Sequence, residues 1–154
     1  TKEALFNLLM HRYEFGGLAV LDLFTGTGNL SLECRSRGAS PVIAVDKNRR
    51  CLRAVERVMQ QLDLPGIELV QADAHRFVAE TPHSFDLILM DPPYGLPTLE
   101  QLVQAILDRP LLRPDGLLVA EHGKQQRLDH LPGFEAVRTY GSSQLSLFGR
   151  ERIE

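Results

Sequence analysis

The sequence predicts an α/β protein: a doubly wound, mostly parallel seven-stranded sheet that ends in an antiparallel hairpin. Three observations lead there. Short, almost uninterrupted apolar runs alternate with helix-period segments, as parallel strands covered on both faces require. A glycine-rich turn follows the first of these runs, at the edge where an open α/β sheet places its ligand crevice. Two strand-like segments near the end flank a Gly-Ser-Ser turn.

The chain opens on a helical stretch, Glu3–Tyr13. Strands are expected at Leu18–Phe24, Pro41–Val45, Ile67–Val70, Phe85–Met90 and Gly116–Ala120. A helix over Asn29–Arg37 closes on Gly38, with Arg35 and Arg37 in the last turn, where cations meet the negative helix end. In Asn48–Leu62, Cys51, Val55, Val58 and Leu62 recur at i, i+4, i+7 and i+11 and form one apolar stripe. The alternation places another helix between the third and fourth strands. Leu99–Arg109 starts after Pro97 with Thr98-x-x-Gln101, a capping-box spacing. Phe134–Tyr140 and Gln144–Phe148 make the hairpin around Gly141-Ser142-Ser143.

Composition bounds the function. The 154 residues suit one domain, 1–154, with an ordinary globular balance of 44% hydrophobic and 24% charged residues. No apolar run approaches the ~18 residues of a membrane span, and no secretory signal opens the chain. Two cysteines without a CxxC exclude a disulfide framework, and five scattered histidines give no metal-ligand spacing. The reading is a soluble, cytoplasmic protein, expected as a monomer, without metal and without membrane contact. Seventeen Lys+Arg against twenty Asp+Glu give a net charge of −3, so no basic nucleic-acid grip shows in the totals.

The first strand runs into Asp22-Leu23-Phe24-Thr25-Gly26-Thr27-Gly28. Glycines between strand and helix let the backbone turn tightly and approach a ligand. A P-loop is excluded, because no Gly-Lys-Ser/Thr follows. A dinucleotide fingerprint would need glycine at position 31, where Ser31 stands. Asp46 ends the second strand, about twenty residues on, where a carboxylate can accept hydrogen bonds from ribose hydroxyls. Asp73 lies just past the third strand in Gln71-Ala72-Asp73-Ala74. Helix N-capping is the competing reading for both acids. The fourth strand delivers Asp91-Pro92-Pro93-Tyr94 to the same edge. Two prolines stiffen the backbone and remove two donors, leaving a carboxylate, carbonyls and an aromatic face. That set suits the exocyclic amine of a planar base: Asp91 and the Pro92 carbonyl accept its hydrogens while Tyr94 stacks on the ring. The competing reading is a proline turn that merely ends a strand.

The order Asp22…Gly26-x-Gly28, Asp46, Asp73, Asp91-Pro92-Pro93-Tyr94 resembles the Rossmann-like class I S-adenosylmethionine-dependent methyltransferases. Within them the chain is similar to the bacterial enzymes that methylate N2 of guanine 966 in 16S ribosomal RNA. The segments Glu3-Ala4-Leu5-Phe6-Asn7, Ser36-Arg37-Gly38-Ala39, Glu121-His122 and Leu145-Ser146-Leu147-Phe148 carry that narrower likeness. Thr25 and Thr27 depart from it, standing where smaller residues are usual. The resemblance implies that Asp22, Phe24, Gly26 and Gly28 hold the methionine end of S-adenosylmethionine. Asp46 would take its ribose, Asp73 and Ala74 its adenine edge. Asp91, Pro92 and Tyr94 would hold the target base catalytically. The implied partner is 16S rRNA or the assembling small ribosomal subunit. Family members carry a short N-terminal segment ahead of the Glu3–Asn7 match, so the RNA grip is expected there. Lys124 and Arg127 would assist, whereas Arg50, Arg53 and Arg57 read as a solvated helix face. Three alternatives stand beside this one: an adenine-N6 methyltransferase, a nicotinamide-dependent oxidoreductase, and a catalytically silent nucleic-acid-binding module.

Overall fold

A computed structural model describes residues 2–150. Its elements are α1 (Lys2–Arg12), β1 (Val20–Leu23), α2 (Asn29–Ser36), β2 (Val42–Asp46), α3 (Arg49–Gln61), β3 (Ile67–Gln71), α4 (Ala74–Glu80), β4 (Phe85–Met90), α5 (Leu99–Asp108), β5 (Leu112–Gly123), β6 (Phe134–Tyr140) and β7 (Ser143–Gly149). The seven strands form one sheet in the order β3-β2-β1-β4-β5-β7-β6. β3, β2, β1, β4 and β5 run parallel, and β7 joins β5 and β6 antiparallel. This is the expected fold.

Alternation along the strands explains the two cores. Leu21 and Leu23, Ile43 and Val45, Ile88 and Met90 point to one face, against Val78 of α4 and Leu99, Leu102, Val103 and Ile106 of α5. Val20, Val42, Ala44, Leu87 and Leu89 point to the other, against Leu5, Phe6 and Leu9 of α1 and Cys34 of α2. Burial on both faces is why these strands read as unbroken apolar runs. Asp86, the polar interruption of β4, accepts the Ala19 N–H at 2.9 Å and pairs with Arg113 at 3.2 Å.

Several local expectations are corrected. The buried positions of α3 are Leu52 and Val55, while Cys51 and Val58 are only part-buried and Leu62 is exposed. A stripe drawn at i, i+4, i+7 and i+11 drifts off the face that meets the sheet. Thr98 precedes α5, but its side chain makes no capping hydrogen bond, so the capping box does not form. β5 extends beyond Gly116–Ala120 in both directions, because β4 recruits Leu112 and β7 recruits Glu121–Gly123 as partners. Ser143 belongs to β7 and pairs with Tyr140, leaving the two-residue turn Gly141-Ser142 with Gly141 at φ 60°. Glycine at the first central position is what such a hairpin turn needs.

Candidate functional site

The carboxyl ends of β1, β2, β4 and β5 and the segment after β3 converge on three adjoining clefts. The strand order reverses between β1 and β4, and there the crevice of a doubly wound sheet opens. One cleft of about 620 Å³ is lined by Phe24, Gly26, Asp46, Asp73, Ala74 and the Asp91–Pro93 stretch. A second, about 490 Å³, takes in Lys2, Asp22, Thr25–Thr27, Asn29, Asp91 and Glu121. The third, about 260 Å³, lies between Asp91–Gly95, Glu121–Gly123 and the Ser142-Ser143 turn. Asp91 borders all three.

The glycine loop is built under strain. Phe24 has φ 60°, a conformation a bulky L-residue rarely adopts, and Gly26 and Gly28 follow at φ 54° and 77°. The turn carries the backbone sharply from β1 into α2. The Gly26 N–H donates to Asp46 Oδ2 at 3.0 Å, and the Asn48 N–H donates to Asp46 Oδ1 at 2.8 Å. Asp46 thus clamps the loop to the end of β2. It does not cap α3: Asn48 does, accepting the Arg50 N–H at 2.9 Å. Asp73 does cap α4, accepting the Arg76 N–H at 3.2 Å, and also lines the large cleft beside Ala74. Asp73 is thus a helix cap that also faces the cleft.

Asp22 is 1% exposed. Its Oδ2 accepts the hydroxyls of Thr25 and Ser31, each at 2.7 Å. Ser31, which fails the dinucleotide fingerprint, has this use instead. The other oxygen, Oδ1, is buried without a partner. Burial pushes the carboxyl up to about 6 against the pull of the two hydroxyls, and the charge on Asp91 adds to the rise. Keeping it ionised at pH 7 costs about 3 kcal/mol. A buried, unmatched carboxylate oxygen at the wall of a cleft is suited to a cationic ligand group. The residues present therefore fit the cationic ammonium of S-adenosylmethionine, with Phe24 and Gly26 bordering both this cleft and the one lined by Asp46 and Asp73.

Beside β4, Pro93 uses its carbonyl to accept the Leu96 N–H at 3.2 Å, and Asp91 and Pro92 face the clefts. Tyr94 is 79% exposed and its hydroxyl donates to Gln125 Oε1 at 2.9 Å. A side chain on Gly123 would come within 2.9 Å of the Tyr94 ring, so the glycine makes room for it. The candidate residues Asp22, Phe24, Gly26, Asp46, Asp73, Ala74, Asp91, Pro92 and Tyr94 are thus brought to one edge. Gly28 sits behind them, packed on Val55. Lys124 and Arg127 are exposed but line none of these three clefts, and Arg127 pairs with Asp129 at 3.2 Å.

Sequence reasoning assigned no role to Glu121. The structure sets its half-buried carboxyl against Asp91, and burial together with that neighbouring carboxylate raises it to about 7. The only signal was an acid directly after an apolar strand, Glu121-His122. The metal expectation concerned spacing alone; no group of three or more ligating side chains suited to a metal occurs among the described residues. No helix among them is long and apolar enough to cross a membrane.

Comparison with known proteins follows the same lines. YlbH of Bacillus subtilis, named as a candidate rRNA methyltransferase, is 31% identical over 155 residues, covering 96% of this chain and 83% of its own. Ribosomal RNA small subunit methyltransferase D of Haemophilus influenzae is 29% identical over 136 residues, covering 83% of this chain and 67% of its own. Against some other curated relatives the chain spans 57% of their length. The Thermus thermophilus 16S rRNA N2 G1207 methyltransferase, solved with AdoMet and guanosine, superposes with a TM-score of 0.77 at 21% identity, covering 96% of this chain and 42% of that one. That last likeness is one of fold. The family described as Conserved hypothetical protein 95 matches residues 1–149, and the chain belongs to it.

Proposed function

We propose that the protein transfers a methyl group from S-adenosylmethionine to the exocyclic N2 of a guanine in 16S rRNA, with guanine 966 as the target that the resemblance indicates. The observation that carries this reading is the place of Asp91, at the junction of the three clefts. The names of the relatives support an rRNA substrate. The cofactor supplies an electrophilic methyl on a cationic sulfur. The chain's own residues do the rest. Asp22 Oδ1 accepts the ammonium of the amino-acid end, Asp46 the ribose hydroxyls, and the Ala74 region borders the adenine. Asp91 and the Pro92 carbonyl accept the two hydrogens of the base amine and localise its lone pair toward the methyl. As the new N–C bond forms, Asp91 stands where the surplus amine proton must leave. Tyr94 provides the stacking face.

Incubation with undermethylated small subunits, followed by mass spectrometry of nucleosides, tests this directly. N2-methylguanine is the expected product; N6-methyladenine instead would establish the rival chemistry.

Three further outcomes are expected. Asp46→Ala should weaken S-adenosylhomocysteine binding by about 1.5–3 kcal/mol in calorimetry, since it loses ribose acceptors and frees the Gly26 N–H. Unchanged affinity would remove Asp46 from the site. Calorimetry across pH should show affinity level above pH 7 and falling as pH drops through about 6, where Asp22 takes up a proton and no longer attracts the ammonium. The free protein responds in the opposite sense. Its Asp22 binds a proton before the unfolded chain does, so this group's contribution to stability rises between about pH 6 and pH 4. Tyr94→Ala should weaken RNA binding by about 1–3 kcal/mol in filter binding. Tyr94→Phe, which loses only the Gln125 bond, should change it little.

A further inference from the structure

β4 and β5 run parallel with Met90 opposite Ala120. One residue further on, Asp91 and Glu121 therefore leave adjacent strands side by side. Strand alternation sends both away from the face that holds Met90 and Ala120, so the two carboxyls share one side of the crevice. Both line the amino-acid cleft and both line the small pocket beside Tyr94. Glu121 is held in place from behind. It pairs with Leu145 of β7, and its neighbour His122 is buried with both ring nitrogens engaged, Nδ1 with the Gly123 carbonyl at 2.8 Å and Nε2 with Ser146 Oγ at 2.7 Å. The Ser143 side chain, at the rim of the same pocket, also meets the Glu121 carboxyl, and among the described residues no basic side chain lines that pocket besides His122.

Two adjacent carboxylates repel, which is why Glu121 holds a proton more readily than an ordinary carboxylate, and a ligand that brings donors to both relieves the same repulsion. Among the bases that carry an exocyclic amine, guanine alone offers a ring N–H next to it. Adenine and cytosine present a bare ring nitrogen there, an acceptor that would face an acceptor. We propose that Glu121 is the specificity-determining residue of this site, accepting the N1–H of guanine while Asp91 holds the adjacent N2 amine. This rests on the guanine-N2 reading above and says how that base is chosen.

The test uses the full-length protein and small-subunit RNA carrying either guanine or 2-aminopurine at the nucleotide that the wild type methylates. 2-Aminopurine keeps the 2-amine but has an unprotonated N1. The wild type should prefer guanine by at least about tenfold, the usual discrimination of a buried hydrogen-bonded contact. Glu121→Gln can turn an amide N–H toward N1. It should lower turnover on guanine, raise it on 2-aminopurine, and bring the preference below about threefold. Quenching of 2-aminopurine fluorescence should show tighter binding by the same variant. A gain on one base cannot arise from misfolding, and Glu121→Ala, which neither donates nor accepts, should lose guanine activity without that gain. If wild type and Glu121→Gln share the same preference while N2-methylguanine is still made, Glu121 does not read the base and the methyltransferase reading stands. If the wild type makes N6-methyladenine, both the reading and the role of Glu121 fall.

Discussion

Asp91→Ala is expected to lower methyl transfer at least about 100-fold while affinity for S-adenosylhomocysteine stays within about threefold. The size follows from losing one preorganised acceptor proposed for the reacting amine. The split follows from geometry. Asp91 borders the same clefts, yet the polar contacts to the cofactor are the ones proposed for Asp22, Asp46 and the glycine loop, which line those clefts. A secondary effect should accompany the loss. The negative charge of Asp91 helps to raise both Asp22 and Glu121, so each should move back toward the ordinary carboxylate range when it is gone. Single-turnover kinetics and calorimetry on the same preparation measure both halves. Turnover within a few-fold of wild type would remove Asp91 from the amine.

Gly28→Ala should destabilise the fold by about 2–5 kcal/mol, whatever it does to catalysis. Gly28 has φ 77°, which costs an L-residue about 1–2 kcal/mol, and a Cβ there would lie 2.6 Å from Val55 Cγ2. Val55 is fully buried on α3 and branched at Cβ, so it has no free rotamer into which to retreat. Gly26→Ala is the control. It carries the φ 54° penalty, but its Cβ would meet only the Phe24 carbonyl oxygen at 3.9 Å, so a loss of about 1–2 kcal/mol is expected. Urea denaturation of the two variants separates backbone strain from the clash. Equal losses would mean that Val55 yields.

What the sequence determined by itself was the layered plan and the acids at the strand ends. Burial on both faces turns a parallel strand into a continuous apolar run, and β4 and β6 could be read to the residue. A side chain that ends such a run must emerge at the crevice edge, so Asp46, Asp73 and Asp91 were visible as candidates from position alone. Only the tertiary structure decided which groups face one another. Thr25 and Ser31 close on the same oxygen of Asp22, and Asp46 grips Gly26 from another strand. Thr98 fits a capping pattern but makes no capping bond, because a spacing along the chain does not establish where a hydroxyl points. Leu62 completes a helical stripe in sequence and is exposed, since α3 meets the sheet through Leu52 and Val55. Glu121 is the largest case. Its partner is 30 residues away, and their meeting depends on the register of β4 on β5, which cross-strand hydrogen bonds and core packing set and local pattern does not encode.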